Sequence, residues 1–139
     1  MTERTTLTDL ITTAKARIEE LSVEQLQAEI EGGNVTVVDI RDLRERCNLG
    51  TIPGAKSMPR GMLEVWFDPE SPYYRKGLDY DARYVLHCAG GQRSVLAADV
   101  LQQLGYTNVA HLEPGYNGWK TAGGATEEVH PDPKYFQQT

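Results

Sequence analysis

The residues of this chain whose types could do chemistry lie together in one segment, Cys88-Ala89-Gly90-Gly91-Gln92-Arg93-Ser94. A β-favouring apolar run from Tyr84 to Leu86 precedes the cysteine and predicts a buried strand. Apolar residues recur at helical spacing after the segment, which therefore predicts a glycine-rich turn from a strand into a helix. The first backbone N–H groups of such a helix lack intrahelical partners and can bind an anion. The same position favours the thiolate form of a cysteine, so Cys88 is a candidate nucleophile in an anion-binding cradle.

The other residues of this segment have expected roles around the Cys88 sulfur. The two glycines permit the positive φ angles that would turn successive N–H groups inward. Arg93 adds a permanent charge, which is unfavourable at a helix N-terminus unless an anion offsets it. We therefore expect Cys88 and Arg93 to be catalytic. The residues expected to bind substrate through the loop are Ala89, Gly90, Gly91, Gln92 and Ser94. The alternative interpretation of Cys88 is a buried, inert thiol.

Strands and helices alternate along the sequence, which predicts an α/β fold with a central, mostly parallel sheet and helices on both faces. Apolar side chains near helical period over residues 7–21 predict an N-terminal amphipathic helix. Ser22 and Gln25 fit a capping box that begins a second helix, and Asp42 is expected to cap a third. Three parts are expected: a helical extension (1–21), a single domain (22–123) and an extended or loosely ordered C-terminal tail (124–139).

Two further groups of side chains are candidates for a pocket beside Cys88. A second β-branched strand ends in Asp39-Ile40-Arg41, and ligands of open α/β sheets bind outside the carboxyl ends of the strands. Asp39 and Arg41 could therefore face the same crevice as Cys88, with a structural salt bridge as the alternative. Met62 and Trp66 lie in an apolar segment that fits a short helix or a lid. They could line the pocket or pack in the core.

The composition excludes several classes of protein. A length of 139 residues indicates one domain, and the net charge of −6 argues against a nucleic-acid surface. No run approaches the roughly 18 apolar residues of a membrane span, and the N-terminal residues lead into no secretory apolar region. The two cysteines, Cys47 and Cys88, are too few for a disulfide framework or a four-cysteine metal site. We expect a cytoplasmic protein without metal or cofactor.

Four motifs together resemble the successive signatures of single-domain rhodaneses, in matching order and spacing over about residues 22–123. They are Asp39-Ile40-Arg41, Gly50-Thr51-Ile52-Pro53-Gly54-Ala55, Cys88–Ser94, and Leu112-Glu113-Pro114-Gly115-Tyr116-Asn117-Gly118-Trp119. The resemblance implies a rhodanese-like domain that transfers sulfur. A small donor such as thiosulfate or a persulfide would leave its outer sulfur on Cys88 as a persulfide. A thiol, cyanide or a partner protein would then accept that sulfur.

Two positions depart from the pattern of that family. Thr51 stands where the family usually has histidine, and Pro114 interrupts a turn that is usually Leu-Glu-Gly-Gly. Because both lie outside the Cys88 segment, we expect them to affect packing more than the sulfur site.

Two other functions remain open. The chain could be a non-catalytic sulfur carrier or protein-binding module, which no sequence feature rejects. It could also be a cysteine phosphatase or arsenate reductase, whose loops have five residues between cysteine and arginine. Here the spacing is Cys-x4-Arg, and Ser94 stands where the longer loop would place its arginine. The shorter loop suits a single sulfur better than a phosphoryl group. The sequence does not indicate an oligomeric state.

Overall fold

The computed structural model describes residues 3–132, so residues 133–139 of the predicted tail lie outside the described part. The described residues form one five-stranded sheet, in the order β1-β5-β4-β2-β3, whose neighbouring strands are all parallel. The strands are β1 (Glu19–Leu21), β2 (Thr36–Asp39), β3 (Lys56–Ser57), β4 (Tyr84–His87) and β5 (Val109–Leu112). The helices are α1 (Leu7–Lys15), α2 (Val23–Gly32), α3 (Leu43–Leu49), α4 (Leu63–Phe67), α5 (Gln92–Gln103) and α6 (Gly115–Thr121). A 3-10 turn, Arg60–Met62, leads into α4.

Helices cover both faces of the sheet, as the alternating pattern predicts. Helices α1, α4 and α5 pack on one face, against side chains that include Val38 and Leu86. Helices α2 and α6 pack on the other face, against the neighbouring strand residues Val37 and Val85. Because successive strand residues point to opposite faces, both sides of β2 and β4 are apolar, as a doubly covered parallel sheet requires. The predicted α/β fold is confirmed.

The start of the chain differs from its prediction. The helix predicted over residues 7–21 ends at Lys15, and Glu19–Leu21 form strand β1 beside β5. Predicting a helical extension as far as residue 21 was therefore wrong for its last residues. Ile18 and Leu21 keep the spacing of one helix face, but Ile18 packs in the core on one side of the sheet and Leu21 in the core on the other.

The predicted caps are confirmed. The Ser22 hydroxyl accepts from the Gln25 N–H at 3.1 Å, and the Gln25 side chain accepts from the Ser22 N–H at 2.8 Å. Asp42 makes the same reciprocal arrangement with Glu45 at the start of α3. The first residues of the tail are held to the domain by a bridge between Thr51 and Glu127.

Candidate active site

Cys88 lies at the carboxyl end of the central strand, between β4 and the start of α5. Its side chain is 1% exposed. Gly91 is the N-cap of α5, with φ of 94°, and its N–H donates to the Cys88 Sγ at 3.1 Å. The Ser94 hydroxyl oxygen lies 3.5 Å from the same sulfur. The loop therefore surrounds the sulfur with a backbone N–H and a hydroxyl, both suited to stabilising a negative charge.

The turn before α6 supports this loop from behind. The Tyr116 N–H donates to the Cys88 carbonyl oxygen at 2.8 Å, and the Asn117 N–H donates to the Ala89 carbonyl oxygen at 3.0 Å. A side chain at Gly115 would collide with the Ala89 carbonyl. The turn that carries Pro114 is thus in direct contact with the Cys88 loop, closer than the sequence indicated. Thr51, by contrast, belongs to a buried polar cluster, where its hydroxyl donates to Asp39 at 2.8 Å.

Replacing Gly91 by alanine is expected to disturb the loop strongly, whereas the same change at Gly90 is not. A Cβ at Gly91 would collide with the Glu113 carbonyl oxygen, and its φ of 94° disfavours any side chain. A Cβ at Gly90 would meet no atom within 4 Å. We expect Gly91→Ala to lower the free energy of unfolding by about 1–3 kcal/mol, the usual cost of such strain. Urea unfolding of the two variants measures this, and equal stability would contradict the proposed crowding.

Arg93 is paired with Glu45 of α3, a partner that the sequence did not reveal. Its two terminal nitrogens donate to the carboxylate oxygens at 2.9 and 2.7 Å, and its side chain remains 42% exposed. The hydrogen bonds with Arg93 are the main cause that lowers the pKa of Glu45 to about 2. The same pair raises the pKa of Arg93, and the Cys88 sulfur adds to this effect. The positive charge of Arg93 is therefore held in place and partly offset by Glu45.

Asp39 and Arg41 do not line the crevice, so that suggestion was wrong and the salt-bridge alternative holds. Both side chains are fully buried, and Arg41 donates twice to the Asp39 carboxylate, at 3.0 and 2.9 Å. Arg46 also donates to Asp39, at 3.1 Å, and the Arg41 guanidinium lies 4.2 Å from the centre of the Tyr116 ring. A buried carboxylate needs such partners, and Arg41 and Arg46 supply them to Asp39.

Trp66 lines a cavity of about 560 Å³, and Met62 is not among its lining residues. The Arg75 guanidinium stacks on the Trp66 ring at 3.6 Å. The cavity is lined by Leu43, Arg46, Ser57, Pro59, Trp66 and Arg75. Met62 is 37% exposed, at the end of the 3-10 turn. Neither Met62 nor any residue of the Cys88–Ser94 segment lines this cavity.

Ser94 contacts a histidine that is not among the predicted site residues. His111 is 1% exposed, and its Nδ1 lies 2.9 Å from the Ser94 hydroxyl oxygen. One signal was available: His111 lies near the end of a predicted strand whose carboxyl end must share the sheet edge with Cys88.

Within residues 3–132, no three or more His, Cys, Asp and Glu side chains come together as metal ligands would. No helix of that part has the length and apolar character needed to cross a membrane.

Comparisons with known proteins identify a family that this chain matches. A family model described as a rhodanese-like domain matches residues 22–122. A human protein named thiosulfate:glutathione sulfurtransferase is 29% identical over 105 residues, covering 71% of this chain and 90% of that protein.

Solved structures with the same fold include one bacterial protein and one archaeal protein. One, from Rhodopseudomonas palustris and described as a protein of unknown function and possible tyrosine phosphatase, is 42% identical. Its TM-score is 0.86, covering 91% of this chain and 98% of that one. A rhodanese-related protein from Thermoplasma volcanium is 28% identical with a TM-score of 0.66, covering 78% and 97%.

Proposed function

Because the chain belongs to the rhodanese-like domain family, we propose that it is a sulfurtransferase that carries sulfur on Cys88. Thiosulfate or a persulfide is the proposed donor, and a thiol, cyanide or a partner protein the proposed acceptor. The observation that carries the proposal is the Gly91 N–H directed at the Cys88 Sγ in a loop of Cys-x4-Arg spacing. The human relative named as a thiosulfate:glutathione sulfurtransferase supports this choice of donor and acceptor. A cytoplasmic location remains part of the proposal.

The proposed reaction has two displacement steps at sulfur. The Cys88 thiolate attacks the outer sulfur of thiosulfate, a new S–S bond forms, and sulfite leaves with the electrons of the broken S–S bond. The acceptor thiolate then attacks the terminal sulfur of the Cys88 persulfide, which returns Cys88 as a thiolate. After both steps the sulfur held by the loop carries one negative charge, which its N–H and O–H groups can stabilise. The backbone amides of Ala89, Gly90 and Gln92 are proposed to contact the incoming sulfur.

The direct test is the intact mass of the protein. Incubation with thiosulfate should add the mass of one sulfur atom, and cyanide or a thiol should remove it. Absence of any gain from thiosulfate and from a persulfide donor would contradict sulfur transfer. Rapid loading combined with slow release to every small acceptor would instead favour the sulfur-carrier alternative, in which a partner protein takes the sulfur.

Arg93→Ala is expected to impair the use of anionic donors. Its guanidinium interacts electrostatically with the Cys88 sulfur, and a charge-assisted contact to the donor would contribute about 1.5–3 kcal/mol. We therefore expect kcat/KM for thiosulfate to fall roughly 10- to 100-fold, measured by sulfite release. Unchanged activity would contradict the role of Arg93.

Two further variants control for side effects of that change. Arg44 is an exposed cation on α3, so Arg44→Ala removes the same charge without touching the loop and should leave kcat/KM nearly unchanged. Arg93→Ala also removes the ion-pair partner of the Glu45 carboxylate. Combining it with Glu45→Gln distinguishes the loss of a cation from repulsion by that carboxylate, because only repulsion would be relieved in the double variant.

Phosphatase activity is the second candidate, because the Rhodopseudomonas structure is described as a possible tyrosine phosphatase. The geometry favours it less. Ser94 occupies the position of the arginine of a longer loop, and it is completely buried near the sulfur. Hydrolysis of p-nitrophenyl phosphate by the wild type, lost in Cys88→Ser, would establish this activity instead.

A further inference from the structure

A continuous series of polar contacts leads away from the Cys88 sulfur. The Ser94 Oγ lies 3.5 Å from Sγ and 2.9 Å from the His111 Nδ1. The His111 Nε2 lies 2.9 Å from a carboxylate oxygen of Glu20 on β1, and the same oxygen accepts from the Lys15 Nζ at 2.9 Å. Cys88, Ser94 and His111 are each at most 1% exposed. The sulfur is thus linked through a buried hydroxyl and imidazole to a carboxylate.

The hydrogens of this series can be placed in one consistent direction. An ionised carboxylate only accepts hydrogen bonds, so the Nε2 facing Glu20 carries the hydrogen, and Nδ1 of the neutral ring is an acceptor. The Ser94 hydroxyl then donates to Nδ1, and its oxygen can accept from the Cys88 S–H. The same hydroxyl lies 3.3 Å from the Gly91 carbonyl oxygen, a longer distance than the 2.9 Å to Nδ1. The series of hydrogen bonds therefore begins at the Cys88 thiol proton and ends at the Glu20 carboxylate.

We propose that Ser94 and His111 form a proton relay that removes the thiol proton of Cys88, with Glu20 orienting the imidazole. The Cys88 S–H bond breaks as its proton joins the Ser94 Oγ, and the original Ser94 proton moves to the His111 Nδ1. The products are a thiolate and an imidazolium, so no proton leaves the site. The Nδ1–H then donates to Ser94, and Ser94 donates to the thiolate beside the Gly91 N–H. This inference rests on the proposed function, in which Cys88 is the nucleophile.

The groups around His111 act in opposite directions on its affinity for a proton. Glu20 faces it from β1, Lys15 lies behind Glu20 on α1, Glu113 follows it in the chain, and Cys88 lies beyond Ser94. Burial lowers the pKa of His111, whereas Glu20 and Glu113 act to raise it and Lys15 to lower it. Burial likewise opposes ionisation of Glu20, but hydrogen bonds from Lys15 and His111 outweigh it and lower the pKa of Glu20. A neutral imidazole beside an ionised carboxylate is the form that a base requires.

Each member of the series has its own role. Ser94 contacts the reacting sulfur and is therefore a catalytic residue in this proposal. His111 and Glu20 act through Ser94 and are positioning residues for the sulfur. Loss of any one of them is expected to shift the pH at which the thiolate forms, an effect that loss of packing alone would not produce.

The test is a pH titration of the thiolate by ultraviolet absorbance. Cys47→Ser serves as the background, because Cys47 is a second free thiol, and a Cys88→Ser blank is subtracted. Added to that background, Ser94→Ala and His111→Asn should move the midpoint upward by about one pH unit, which lowers the thiolate fraction near neutral pH roughly tenfold. Glu20→Gln should move it in the same direction by a smaller amount, since the hydrogen bond is kept and only the charge is lost.

Glu19→Gln is the matched control. Glu19 precedes Glu20 on the same strand but pairs with Arg83 at 2.9 Å, so this variant should keep the wild-type midpoint. Folded variants of Ser94, His111 and Glu20 that all titrate like the wild type would overturn the relay. If His111→Asn fails to fold, Ser94→Ala and Glu20→Gln still decide the question.

The titration is independent of sulfur transfer. Shifted midpoints in a wild-type protein that never gains sulfur would uphold the relay and reject the proposed function. Sulfur loading together with unshifted midpoints would support the proposed function and reject the relay.

Discussion

Cys88→Ser is expected to abolish sulfur loading completely, while the fold is retained. A serine hydroxyl is far weaker than a thiolate as a nucleophile, because it is scarcely ionised at neutral pH. The oxygen is smaller than sulfur and can keep the hydrogen bond from the Gly91 N–H, so the loop should keep its shape. Intact mass after incubation with thiosulfate is the measurement. The wild type should gain one sulfur atom, and the variant none.

Cys47→Ser is the control for this experiment, because Cys47 is a free and partly exposed thiol on α3. It should load sulfur like the wild type. Sulfur on Cys88→Ser, or loss of loading in Cys47→Ser, would show that the reactive thiol is not Cys88. Circular dichroism of both variants separates a chemical effect from misfolding.

Asp39→Asn is expected to cause the largest loss of stability of any change considered. The Asp39 carboxylate is fully buried and accepts from Arg41, Arg46 and Thr51. Neutralising it leaves the completely buried Arg41 guanidinium without its counterion, and breaking a buried pair in this way costs about 3–5 kcal/mol. The free energy of unfolding from urea titration should fall by that amount.

The contrasting variant is Glu64→Gln. Glu64 forms an exposed pair with Arg60 at 2.8 Å, and exposed pairs typically contribute about 0–1 kcal/mol. Similar losses of unfolding free energy for Asp39→Asn and Glu64→Gln would show that burial does not increase the contribution of the Asp39 ion pairs to stability.

The same cluster predicts how stability depends on pH. Burial opposes ionisation of Asp39, but hydrogen bonds from Arg41 and Thr51 outweigh it and lower its pKa from 3.8 to about 2. The stability that this carboxylate contributes is present above its ordinary pKa and is lost as the pH falls towards 2. Burial also lowers the pKa of the neighbouring His87 from 6.5 to about 4. Because the unfolded chain takes up this proton at a higher pH than the folded protein does, the folded protein loses stability as the pH falls through that interval.

Acid unfolding should therefore have two stages, one between about 6.5 and 4 and one from 3.8 down to about 2. Asp39→Asn should remove the contribution of Asp39 to the second stage. Free energies of unfolding measured at a series of pH values test this, and a flat profile in the wild type would contradict it.

Local signals made much of the fold predictable. The Ser22–Gln25 capping box and the Asp42 cap satisfy helix N-termini with residues only a few positions away, so their signals lie within one stretch of sequence. The Cys88 loop was predictable for the same reason, because a strand, two glycines and a helix follow each other directly.

The features that were missed depend on residues far apart in the sequence. Strand β1 spans Glu19–Leu21, too short for a pattern of its own, and its strand character comes from pairing with β5. Arg93 was expected to face an anion, but the fold of α3 places Glu45 against it. The contact of His111 with Ser94 likewise requires β4 and β5 to lie side by side, which no short stretch encodes.

The position of β1 at the sheet edge beside β5 has a consequence for synthesis of the protein. Glu19–Leu21 align with Ala110–Leu112, so the ribosome must complete nearly the whole sheet before this pair can form. Until then β1 has no place in the sheet, and Glu20 cannot reach His111. A nascent chain should therefore hold Cys88 without the contacts behind it until the last strand is in place.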